Sequence, residues 1–173
     1  PDGIPNARNS PTSTLHSNVW YHLGLARYLR GDFEGARRAY VECMALSKND
    51  DMRSATAYWQ FLTLRRLGLE ADASALIEPF HADMDLLENH AYHALILLFQ
   101  GGPDGADREA LLATARDQGE AALATTGYGV AMDAWLADDT TRPREIWQEI
   151  VDTDAWASFG YLAAEAELLR AVE

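Results

Sequence analysis

Val19–Tyr40, VWYHLGLARYLRGDFEGARRAY, is the stretch on which the reading of the whole chain turns. It holds a tryptophan, four tyrosine or phenylalanine rings, a histidine and three glycines in twenty-two residues. Gly31-Asp32 divides it into two blocks of helical length. A turn this short between two helices makes an antiparallel hairpin. The mixture of side chains suits the lining of an active site, or a packing code whose product is the hairpin itself. The remainder of the chain decides between the two.

Outward from this hairpin, glycine or proline falls between blocks of helical length. No run alternates apolar and polar residues with β-branched enrichment. The pattern predicts nine helices, near 18–30, 33–47, 52–67, 70–80, 86–100, 106–122, 126–137, 142–152 and 154–171. Residues 1–17, PDGIPNARNSPTSTLHS, contain three prolines, a glycine and a cluster of Asn, Ser and Thr. Proline lacks the amide donor and the dihedral range of a helix interior, so this segment reads as an extended arm or linker. The turn residues recur: Gly31, Gly68, Gly102 and Asp138 stand 37, 34 and 36 residues apart. That period belongs to a stacked array of helical hairpins.

A chain of 173 residues forms one ordinary domain, with roughly 70% of its unfolded surface buried at this size. With 48% hydrophobic and 24% charged residues it has the composition of a globular protein rather than a disordered one. No apolar run approaches the ~20 residues of a membrane-spanning helix. The formal net charge of −13, spread over Asp50-Asp51, Asp83 to Glu88, Asp104 to Glu109 and Asp138-Asp139, repels phosphate and argues against nucleic acid as a partner. Cys43 stands alone, which excludes an intramolecular disulfide and a cysteine zinc site. It falls within an apolar helical pattern and is expected to be a buried, inert thiol. This cysteine usage fits a cytosol without fixing the compartment. The opening Pro1-Asp2-Gly3, with neither an initiator Met nor a signal segment, reads as a processed chain or a fragment of a longer one, exported or cytoplasmic.

The opening stretch resembles the tetratricopeptide repeat, whose signature is W-x2-L-G-x2-Y, then A-x3-F, then P over about 34 residues. Trp20-x2-Leu23-Gly24, Ala26, Tyr28, Gly31-Asp32-Phe33 and Ala36-x3-Tyr40 carry the resemblance. Small Gly24 and Ala36 let two helices approach, while Trp20, Leu23, Phe33 and Tyr40 fill the space that remains. Two positions depart from the signature. Arg27 stands where its tyrosine is expected, and Lys48 where its proline closes the unit. Later repeats are degenerate: the second retains Gly68, Ala73 and Ile77, and the fourth Ala131 and Trp147 but with Pro143 in place of the small alanine. Trp156-x2-Phe159-Gly160 revives the motif in a closing helix. The resemblance implies an all-α fold, a right-handed superhelical array over 18–171. Its hairpins lie near 18–47, 52–80, 86–122 and 126–152, closed by 154–171, with 1–17 outside it.

In this family the first helix of each hairpin lines a concave groove. Alignment on the turns puts tyrosine at four equivalent places, Tyr21, Tyr58, Tyr92 and Tyr128. Seven residues on lie Tyr28, Arg65, Phe99 and Trp135, and between the two rows Leu25, Leu62, Ile96 and Met132. Offsets of four and seven share a helix face. A further row, three residues before the tyrosines, reads Asn18, Ala55, Asn89 and Thr125. Two readings stay open for the tyrosines. They pack between neighbouring hairpins as core, or they face the groove that the resemblance implies and hold an extended peptide or a partner helix. The candidate partner-binding residues are Asn18, Tyr21, Tyr28, Tyr58, Arg65, Asn89, Tyr92, Phe99, Tyr128 and Trp135. Arg65 and Arg66 either clamp a ligand carboxylate or, as the plainer reading, pair with a nearby acid.

Motifs for chemistry are sparse. His81, Asp83, Asp85, Glu88, His90 and His93 crowd one stretch in a way that suits a metal. However, His93 shares a repeat row with His22 and Trp59, as a packing position does. Gly127-Tyr128-Gly129 lacks the third glycine and the preceding strand of a dinucleotide loop. No nucleophile elbow, zincin or phosphate-loop motif is present, Cys43 has no base in its helix, and Asp50-Asp51 and Asp138-Asp139 read as solvated caps and turns.

The expectation is a non-catalytic scaffold, a monomer or weak oligomer without cofactor, that binds a protein or peptide along its inner face. The alternative is the C-terminal part of a longer array, its arm folding back so that Ile4 and Arg8 reach the groove. A third reading, weaker than both, is a metal-dependent enzyme near His90 and His93.

Overall fold

A computed structural model of the chain describes Arg8, residues 11–101 and residues 107–170. Ile4 and Gly102 therefore lie outside the described residues. Among those described, all regular structure is helical and no strand occurs. The helices are α1 (Leu15–Leu29), α2 (Phe33–Leu46), α3 (Asp50–Arg66), α4 (Glu70–Ile77), α5 (His90–Gln100) and α6 (Arg108–Gln118). Next, α7 (Glu120–Ala122), a π-helical turn (Leu123–Gly127) and α8 (Tyr128–Leu136) follow one another without a break, and α9 (Arg142–Val151) and α10 (Phe159–Arg170) complete the order. No described helix is long and apolar enough to cross a membrane.

Several boundaries differ from the sequence expectation, three of them for a reason visible in the local structure. The first helix starts at Leu15, inside the expected arm. Thr14 Oγ1 accepts from the Ser17 amide at 3.1 Å while Ser17 Oγ accepts from the Thr14 amide at 2.9 Å, a reciprocal capping box. The break expected after residue 122 lies instead at Gly119, whose φ of +105° only glycine adopts readily. The last helix begins at Phe159 rather than 154. Trp156, read as the counterpart of Trp20, stands before it and is 69% exposed.

Three of the four expected turn residues, Gly31, Gly68 and Asp138, share one backbone conformation, while Gly102 lies outside the described residues. Positive φ occurs at Gly31 (77°), Gly68 (70°), Gly101 (63°) and Asp138 (60°). At three of these turns the next amide reaches back five residues: Asp32 to the Arg27 carbonyl (2.9 Å), Leu69 to Leu64 (3.0 Å) and Asp139 to Ala134 (3.1 Å). This is the Schellman cap, which satisfies carbonyls that a helix end would otherwise orphan.

The chain divides into two compact units, Pro1–Ile96 and Leu97–Glu173. In the first, α1 packs on α2, α2 on α3 and α3 on α4, and α1 also touches α3. Gly24 is required where α1 meets α2, because a Cβ there would lie 2.7 Å from the Tyr40 ring. Ala36, Ala39 and Tyr40 are buried behind it. Helix α3 is buried over nearly its whole length and on every side, including Tyr58, Trp59, Phe61 and Leu62. Each such side chain contributes about 1.5–3 kcal/mol of transfer free energy.

In the second unit α8 packs on α9 and α9 on α10, while α10 also rests on the π turn and α8. Leu112, Tyr128, Met132, Ile146 and Ile150 form its buried centre. Gly160 brings α10 against the Ala124 carbonyl so closely that no Cβ fits between them. Arg116 holds Glu149 through two nitrogens, at 2.6 and 2.7 Å, and Arg108 and Arg142 bind Asp133 and Glu109.

Candidate functional site

Three of the tyrosine row, Tyr21, Tyr58 and Tyr128, lie elsewhere than on an open face, and so does Tyr28. Tyr28, Tyr58 and Tyr128 have no exposed surface and Tyr21 has 6%, so these four are core and offer a ligand nothing to touch. The physical reason is size: such rings gain most when fully buried between helices. In the first unit the row gathers around Trp59, whose indole lies 5.4 Å from the Tyr28 ring, 5.1 Å from Tyr58 and 6.5 Å from Tyr92. Tyr58 and Tyr92 approach to 4.9 Å, and the Tyr21 ring meets that of Tyr40 edge-on at 6.4 Å. Burial pushes the phenols of Tyr21, Tyr40 and Tyr58 well above their ordinary range, so they stay neutral. In the second unit Tyr128 donates to the buried Glu167 carboxylate at 3.2 Å, and Arg170 neutralises that acid at 2.9 Å.

The other candidates keep partial exposure: Asn18, Arg65, Asn89, Tyr92, Phe99 and Trp135. Arg65 lies 3.9 Å from Glu70 with its guanidinium 6.0 Å over the Phe61 ring, the plainer of the two roles expected for it. The Asn18 carbonyl accepts from His22 Nδ1 at 2.7 Å, and the Asn89 amide donates to Asp51.

The histidine and carboxylate stretch is occupied by structural bonds. Asp51, expected as a solvated cap, is 1% exposed and accepts from the amides of Leu87 (2.7 Å), Glu88 (2.8 Å) and Asn89 (2.9 Å). Arg8 holds Asp85 in a fork at 2.7 and 2.8 Å, Thr12 Oγ1 donates to Glu88 at 2.8 Å, and Asn49 donates to the Thr12 carbonyl at 2.7 Å. His93 Nε2 lies 3.0 Å from the His81 carbonyl, and burial lowers the imidazole pKa, which favours the neutral ring as donor. Among the described residues no three metal-capable side chains converge. Cys43 is buried, 3.4 Å from the Ser17 carbonyl and 3.3 Å from Thr56 Oγ1, and desolvation pushes its thiol up, away from the nucleophilic thiolate.

A concave site of another kind lies on α1 and α2. Trp20, Arg27, Arg37, Arg38, Val41 and Glu42 line a groove of about 460 Å³. Trp20, read from sequence as packing code, is half-buried here, and Val41 is exposed. Arg27 carries its head group to the turn, donating to the Gly35 carbonyl at 3.0 Å, so it does not fill space as a tyrosine would at that place. Arg37 donates to Glu34 at 3.2 Å. Residues 15–48 carry five Lys or Arg against three Asp or Glu, a balance of +2 in a chain of −13. A signal for this groove existed in the sequence: Arg27 broke the repeat signature, and arginines cluster in the one clear repeat of an acidic chain.

Comparison of the chain with protein families, with curated proteins and with solved structures finds no match.

Proposed function

We propose that the chain is a non-catalytic protein-interaction module, a tetratricopeptide-like stack of helical hairpins. It takes an acidic segment with an apolar anchor in the groove of α1 and α2. The observation that carries this reading is the groove itself, where an indole and an exposed valine sit beside three arginines. Guanidinium forks match carboxylates bidentately, and a half-buried tryptophan supplies the apolar anchor typical of interface hot spots. The acidic remainder of the chain repels other approaches of a negative segment and so favours this face. Micromolar binding, about 8 kcal/mol, lies within reach of two or three such anchors.

Selection from a random peptide library tests the reading. Enriched peptides are expected to be rich in Asp and Glu around one large apolar residue. Arg37→Glu with Arg38→Glu is expected to weaken them at least tenfold, about 1.4 kcal/mol, with helicity unchanged by circular dichroism. Selected peptides without acidic bias, or with affinity indifferent to that double charge reversal, defeat the proposal.

A second reading, the arm as an internal strap, is favoured by Arg8–Asp85 and Thr12–Glu88. Arg8 holds the Asp85 carboxyl below the ordinary carboxylate range, first by its hydrogen bonds and then by its charge. The Arg8–Asp85 pair is therefore fully formed above that ordinary range and weakens as pH falls through the lowered value. In a nuclear magnetic resonance titration, Arg8→Ala is expected to return Asp85 towards its ordinary pKa. An Asp85 curve that does not move removes the strap.

A further inference from the structure

The large apolar side chains that stand exposed are Leu15, Val19, Val41, Trp156, Leu162 and Leu169. Among the described residues they fall in two places and nowhere between: the first hairpin, where Leu15 is 69% exposed, and the closing stretch, where Leu169 is 68% exposed. Charge distinguishes the two patches. Residues 15–48 balance at +2, while residues 152–173 carry five acids against Arg170 alone, a balance of −4. Asp152, Asp154 and Glu165 are exposed around the second apolar patch, as Arg38 and Lys48 are around the first.

We infer that the occupant of the α1–α2 groove is the closing segment of a second copy of this chain, so that copies join head to tail. This rests on the reading of that groove as a binding site and names what fills it. Each half of the contact has what the other lacks. Leu162, Leu169 and Trp156 bring apolar surface to Val19, Trp20 and Val41, and the exposed carboxylates meet the arginines. Because the two patches differ, the contact is heterologous: a single contact leaves one patch of each kind free for a further copy.

Sedimentation equilibrium of the whole chain, from about 5 to about 500 µM at low salt, is expected to show an average mass rising with concentration, and lowered again in about 1 M salt. A head variant, Arg38→Glu with Val41→Glu, and a tail variant, Leu169→Arg, are each expected to stay monomeric. Mixed one to one, they should form a dimer that grows no further, since only one intact pair of patches remains. A head variant that associates like the parent means a symmetric contact and overturns the inference. A parent that is monomeric throughout, yet whose groove still binds the selected acidic peptides, also overturns it and leaves the groove reading standing. If those peptides fail to bind as well, the groove reading falls with it.

Discussion

Replacing Asp51 by alanine is expected to cost the first unit about 3–5 kcal/mol, a large part of the 5–15 kcal/mol that holds a typical domain together. The carboxylate is almost fully buried and receives three backbone amides from Leu87, Glu88 and Asn89, which lead into α5. The start of α5 therefore takes its acceptor from α3, across more than thirty residues of chain. Removing it leaves three part-buried donors without their acceptor. An unmet buried donor costs about 1–3 kcal/mol, so the loss exceeds that of an ordinary surface cap, typically ~1 kcal/mol. Asp51→Asn keeps one acceptor oxygen and the volume, and should fall between the two. Urea unfolding measures both. A midpoint for Asp51→Ala that moves by less than the equivalent of about 1 kcal/mol would show that α5 does not depend on this staple.

Gly160→Ala is expected to destabilise the second unit by about 2–4 kcal/mol, although alanine is the better helix former by about 1 kcal/mol. An added Cβ meets the Ala124 carbonyl, which is backbone and has no rotamer to turn away into. Helix α10 must then move off the π turn and loosen the Tyr128–Glu167 hydrogen bond. Gly127→Ala is the control: its nearest neighbour is a Leu123 methyl at 3.1 Å, which yields by a small rotation, so a change within about 1 kcal/mol is expected. Thermal unfolding followed with hydrogen exchange on residues 159–170 separates the two. Equal effects at both glycines would contradict the close approach assigned to Gly160.

Much of the architecture was legible because helix ends announce themselves locally. Gly31, Gly68 and Asp138 marked turns whose backbone the structure shows in one conformation, and Gly24 with Tyr40 marked a close contact. What was not legible is what depends on neighbours. Helix α3 is covered on every side, so its sequence carries no contrast between faces, and the position of Tyr58 in it gave no sign that the ring is buried. A tyrosine suits a core and a groove equally well, since its ring is apolar and its hydroxyl is not. Asp51 looked like one more surface acid because its three partners lie 36 to 38 residues away. The candidate groove was not legible because a tryptophan that matches a packing signature carries no sign of its own exposure, and Arg27 marks a departure from the signature without showing where its head group goes.

The caps at Gly31, Gly68 and Asp138 have a consequence for how such a chain changes length. A segment that runs from one of these turns to another starts and stops in the same backbone geometry, with the same amide-to-carbonyl closure. Splicing at those points joins a helix to a turn it already fits. Duplication or loss of a whole hairpin is thus a small perturbation of the backbone, whereas one residue added inside a helix turns every later side chain by about 100° and sends core residues to the surface. Between Gly31 and Gly68, 37 residues apart, such a splice keeps the geometry of both turns.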